Sequence, residues 1–278
     1  MSFPIKLGHS PDSDDAFMFY GLAKHLVNEE GLEFTHILKD IQTLNEWAKE
    51  GKLECTAISV HAYAYVKDKY AILTHGASMG DGYGPMVISN HPMTAMDITS
   101  KKILIPGELT TAFLALSLYL DQPFEYSVMP FDQIIPALKR GEAEVGLIIH
   151  EGQLTHSADG MHMIVDLGHW WKLDTGLPLP LGVNTIRKDL PPDIQLKTSR
   201  ALKASILYSL EHRAQALEYA MQFARDMKTE TADKFVGMYV NHWTVDMGEE
   251  GKRSIRLLMD RSQSRDLVPS FGDIEFVD

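Results

Sequence analysis

TGLPLPLGVN, residues 175–184, separates two kinds of sequence. Its leucines stand at 177, 179 and 181, with Pro178 and Pro180 between them. Period-two alternation and the fixed φ of proline favour an extended segment over a helix. Ahead of this stretch, short apolar runs alternate with helical ones. Residues 5–8, 32–36, 55–59, 72–76, 85–89 and 102–105 read as strands. Residues 14–26, 44–50, 61–66, 110–120 and 131–140 read as helices. Behind it, 199–226, 229–241 and 248–261 read as helices with little strand pattern. Such alternation predicts an α/β fold with mostly parallel sheets. A second extended stretch, YGPMVISN at 83–90, mirrors the first. Together they predict a middle lobe, 91–180, inserted into a lobe built from 1–90 and 181–278.

The chain has 278 residues, 45% hydrophobic and 23% charged, enough for a sizeable core and unlike a disordered segment. A formal net charge of −12 disfavours nucleic acid and anionic membrane surfaces as partners. It leaves room for a small anionic ligand, which responds to the local field. With Cys55 as the single cysteine, neither an intrachain disulfide nor a cysteine cluster can form. No basic segment leading into an apolar run opens the sequence, and no run approaches the roughly 20 apolar residues of a membrane span. A cytoplasmic protein is the expectation.

Chemistry-bearing residues gather where strands give way to helices. GEAEVGLIIHEGQLTH, residues 141–156, carries a buried-strand pattern that stops on His150, a group that titrates near neutral pH. His150 and His156 are spaced i, i+6, which splays them apart on a helix, so a zinc site is not expected. HSPDSDDAFMFY, residues 9–20, is a strand-to-helix turn rich in capping residues. Its three carboxylates, Asp12, Asp14 and Asp15, would repel an anion, so Ser10 and Asp14 are candidates for holding hydroxyl groups. IPGELTTAFLALSLYL, residues 105–120, is a second such turn. There the Thr110 and Thr111 hydroxyls and the Thr111 and Ala112 amides can face a bound carboxylate. Ser59 closes another strand, either as a cap or as a ligand contact. No nucleotide fingerprint is present, and no cofactor is expected. Trp170 and Trp171 read either as a stacking surface or as packing wedges.

Four stretches, DGYGPMVISN (81–90), VGLIIHEGQLTH (145–156), WWKLDTGLPLPLGVNTIRKDL (170–190) and MYVNHWTVDMGEEG (238–251), resemble the 1,4-dihydroxy-6-naphthoate synthases of the futalosine route to menaquinone. The opening differs from the family pattern, reading Ser10-Pro11-Asp12-Ser13-Asp14-Asp15. The resemblance implies a two-lobed fold like that of type 2 periplasmic binding proteins. It implies a lyase acting on cyclic dehypoxanthine futalosine, with His150 as base and with Ser59, Thr111 and Ala112 contacting a small carboxylate ligand. The competing expectations are a chorismate dehydratase-like enzyme and a non-enzymatic small-carboxylate binding protein.

Overall fold

The computed structural model describes residues 2–28, 30–224 and 228–278. The chain first lays down β1 (Phe3–His9), β2 (Leu32–Leu38), β3 (Cys55–Ser59), β4 (Tyr70–Leu73) and β5 (Ser78–Gly80). It then builds a second sheet from β6 (Met86–Ser89), β7 (Ile103–Ile105), β8 (Tyr126–Val128), β9 (Val145–Ile148) and β10 (His162–Asp166). β11 (Leu179–Arg187) and β12 (Phe276–Val277) return to the first sheet. The orders are β12-β4-β11-β3-β1-β2, with β5 also on β11, and β10-β6-β9-β7-β8.

β3, β4 and β9 are buried at every position, as strands covered on both faces are. The expectation of mostly parallel sheets needs correction. β1–β2, β1–β3, β4–β12, β7–β8 and β7–β9 are parallel. Each antiparallel pair among the described residues contains β6 or β11. These two strands follow the passages between sheets, and both enter their sheet reversed.

The chain passes between sheets at 81–85 and again at 167–178, ahead of the boundaries expected at 90 and 180. YGPMVISN therefore contributes a core strand to the second sheet. The passages touch. Leu167 N donates to Pro85 O at 2.9 Å, and a Cβ at Gly168 would stand 1.9 Å from the Tyr83 carbonyl oxygen.

Two long expected helices are broken. Residues 14–26 become Ser13–Met18 and Tyr20–Ala23, because Phe19 leaves helical geometry at φ −95°, ψ 7°. The helix expected at 199–226 starts earlier, as Pro192–Glu211, breaks at His212 and resumes as Arg213–Ala220. Its end at 225–226 lies outside the described residues. The strand expected to reach His150 stops at Ile148. No helix among the described residues is long and apolar enough to cross a membrane.

Candidate active site

Parallel strands deliver the polar side chains to one place, at their carboxyl ends, where open α/β sheets hold ligands. β1 leads into Ser10, Asp12 and Asp14, and β3 ends on Ser59. β7 leads to the helix Thr111–Leu120, and β9 to His150. Ser10, Asp14, Ser59, Thr111, Ala112 and His150 all line one cavity of about 800 Å³, part of it open to solvent.

His150 has φ 57°, the left-handed region that few non-glycine residues occupy. The flip follows β9 directly and brings the imidazole into the cavity lining. Its Nδ1 lies 3.5 Å from Asp12 Oδ2, and its ring packs on Phe131 with centroids 4.5 Å apart. Its Nε2 is buried with no hydrogen-bond partner among the described residues. Asp12 Oδ2 also accepts the Ser10 hydroxyl. Ser10 N donates to Asp15 Oδ2 at 2.7 Å. Behind this loop, His9 Nδ1 faces the Ser10 carbonyl at 3.1 Å and must donate to it, which leaves Nε2 to accept from His36 Nδ1 at 2.9 Å. Burial, with His36 beside it, drives the His9 pKa down to about 3, so this support stays neutral.

Three carboxylates share the loop. Burial pushes the Asp14 carboxyl well above its ordinary range, and the neighbouring charges of Asp15 and Asp12 push it further. Asp15 is also raised, chiefly by desolvation. Asp14 Oδ1 is buried without a partner among the described residues and lines the cavity, where desolvation favours the protonated form. This makes stability depend on pH. The unfolded chain releases the proton near 3.8 and the folded chain only well above that, so stability falls as pH rises between those values. Asp14→Asn should therefore raise the melting temperature at pH 8 by roughly 4 °C, for about 1–2 kcal/mol, and by much less at pH 4. Equal shifts at both pH values in calorimetric melts would contradict it.

Across the cavity, Ser59 is held through Asn45. Asn45 Oδ1 accepts from Ser59 N at 2.8 Å, and Asn45 Nδ2 donates to Ser59 Oγ at 3.1 Å. The Ser59 hydroxyl proton is then left to face a ligand. Thr110 caps its helix, accepting from Phe113 N at 3.2 Å, and donates to Gly107 O at 2.8 Å. The Thr111 hydroxyl does not point to a ligand as expected. It donates to Leu181 O at 2.6 Å and accepts from His61 N at 3.2 Å. The first-turn amides of Thr111 and Ala112 have no intrahelical acceptor, as at any helix start. The same seam includes Leu109 N donating to Gln42 Oε1 at 3.2 Å and Asn45 Nδ2 donating to Leu109 O at 3.4 Å.

On another side of the cavity, Tyr239 donates to Gln153 Oε1 at 2.7 Å. Neither residue was expected, since 86 positions separate them and helical periodicity accounts for each alone. Asp12 and Asn184 also went unassigned, although both sit inside the quoted stretches. Trp170 and Trp171 do not line the cavity. Trp171 is fully buried and donates to Pro178 O at 3.2 Å, and Trp170 packs on Tyr119 at 5.4 Å, so both are packing residues. The group best placed to hold a metal ion, His75, Asp246 and Asp278, has ligand-type atoms within 4.8 Å of one another but does not line the cavity.

A family described as menaquinone biosynthesis matches residues 5–264. The 1,4-dihydroxy-6-naphthoate synthase of Thermus thermophilus is 39% identical over 264 residues, covering 95% of this chain and 96% of that protein. The chain belongs to the 1,4-dihydroxy-6-naphthoate synthase family. It is thus an enzyme of menaquinone biosynthesis, and the non-enzymatic reading falls. A solved structure of an Archaeoglobus fulgidus protein shares 43% identity with a TM-score of 0.91, covering 95% of this chain and 98% of that one. The two-lobed architecture extends further. A Candida albicans protein described as having the generic periplasmic binding protein fold gives a TM-score of 0.67 at 13% identity, covering 98% of this chain and 99% of that one. At that identity the likeness speaks for the fold alone.

Proposed function

We propose that this enzyme is a carbon–carbon lyase converting cyclic dehypoxanthine futalosine into 1,4-dihydroxy-6-naphthoate, with His150 as general base. The observation that carries the reading is the buried Nε2 of His150, without a hydrogen-bond partner among the described residues, in a cavity lined by first-sheet strands and by residues that flank second-sheet strands. The Asp12 carboxylate beside Nδ1 favours the tautomer protonated there, which leaves the Nε2 lone pair as the base. Asp12 acts as a positioning residue. The substrate carboxylate rests on the Thr111 and Ala112 amides and the Ser59 hydroxyl, away from the acidic loop. His150 takes a proton from the sugar-derived part, a carbon–carbon bond breaks, and the bicyclic ring becomes aromatic. Aromatisation drives the step, so the protein supplies a placed base and an anchor. The sheets serve as the cores of the two lobes.

Incubating the purified protein with cyclic dehypoxanthine futalosine tests this directly. Chromatography should show 1,4-dihydroxy-6-naphthoate appearing as the substrate disappears. Intact substrate after prolonged incubation with active-site-competent protein would refute the assignment.

A further inference from the structure

The proposed function leaves Asn184, a polar residue of the cavity, without a role. Asn184 lies on β11 opposite Ala57 of β3, is 1% exposed, and lines the cavity. Its Nδ2 donates to Gly76 O at 3.0 Å and faces Met18 Sδ at 3.8 Å. These contacts fix which way the amide points. Turning it over would set Oδ1 against the Gly76 carbonyl, acceptor against acceptor. Gly76 keeps the fit tight. Its φ is +83°, and a Cβ there would stand 2.2 Å from Asn184 Nδ2. The consequence is that Asn184 Oδ1 is buried with no donor among the described residues. A buried acceptor left unpaired is costly, so native proteins rarely keep one without a use.

We infer that Asn184 is a specificity-determining residue whose Oδ1 accepts a hydrogen bond from a hydroxyl group of the ligand, so that the cavity selects hydroxylated carboxylates over bare aromatic ones. A carboxylate cannot fill this role, because it only accepts and the acidic loop repels it. An ammonium group could donate as well, but it would carry a full charge into a site where Asn184 is 1% exposed. A hydroxyl group donates without bringing that charge. The inference rests on the proposed anchoring of the carboxylate at Thr111, Ala112 and Ser59, and names what the remainder of the ligand must carry.

Calorimetric titration with 3-(1,2-dihydroxyethyl)benzoate, 3-ethylbenzoate and 3-(2-aminoethyl)benzoate separates the possibilities. The wild-type protein should bind the diol about tenfold more tightly than the ethyl compound, the scale of one well-made hydrogen bond to a buried group. In Asn184→Leu that preference should shrink to about twofold, while 3-ethylbenzoate affinity stays near wild type and shows the cavity intact. Asn184→Ser supplies a second variant should the leucine disturb folding, with the same loss expected. Equal wild-type binding of the diol and ethyl compounds, a diol preference that survives both substitutions, or tightest binding of the ammonium compound would overturn this inference alone. Failure of all three benzoates to bind would overturn the anchoring reading, and this inference with it.

Discussion

Replacing His150 with Asn should slow turnover by about 10²–10⁴ while leaving substrate affinity within about tenfold, or roughly 1.4 kcal/mol. The choice of Asn matters because of the backbone. His150 sits at φ 57°, and Asn is among the residues that enter the left-handed region most readily. The substitution therefore removes the proposed base without imposing new strain on the turn. An alanine there would mix a backbone effect with the chemical one. The small change in affinity follows from the proposed division of labour across the cavity, in which the anion is assigned to Thr111, Ala112 and Ser59. Single-turnover rates and equilibrium titrations, measured separately, check the two halves. Near-normal turnover in the variant would move the base elsewhere, with Asp14 the next group to test.

Gly168→Ala should destabilise the fold by about 3–5 kcal/mol, lowering the melting temperature by roughly 10 °C. The added Cβ would stand 1.9 Å from the Tyr83 carbonyl oxygen, 2.2 Å from its carbon and 2.6 Å from Gly84 N. All three are backbone atoms, so no side chain can rotate away. The same carbonyl oxygen also lies 2.2 Å from a Cβ built at Gly80, which closes the obvious path of retreat. Relief requires the two passages to separate, and with them the bond from Leu167 N to Pro85 O. Denaturant unfolding of the variant would show the loss. A shift below about 1 kcal/mol would mean that the passages yield more easily than packed backbone should.

Much of this architecture could be read from residue periods. Alternating leucines in TGLPLPLGVN and the apolar run before His150 announce strands, because side-chain direction in a strand repeats every two residues. Pairing direction was less legible, since β6 and β11 look no different from parallel strands when read alone. The helix breaks at Phe19 and His212 carry no proline or glycine to mark them. In the candidate site, strand ends pointed to Ser59 and His150 because ligands collect there in α/β sheets. What stayed hidden depends on contacts between distant segments. The Thr111 hydroxyl is claimed by Leu181 and His61, and Asp12 meets His150 only after both lobes are built. The left-handed backbone at His150 has no signature in its neighbours either.

The two sides of the cavity are fastened unequally, which bears on how molecules enter and leave. Along the Thr111 seam, bonds with Gln42, Asn45, His61 and Leu181 converge on Leu109 and Thr111. Where Tyr239 meets Gln153, a single hydrogen bond joins side chain to side chain. One such bond nets only about 1 kcal/mol in folded proteins, and water can replace it on either partner. Thermal opening therefore favours the tyrosine side, with the threonine side acting as the spine of a book. If ligands pass through that clasp, their exchange is paced separately from the chemical step.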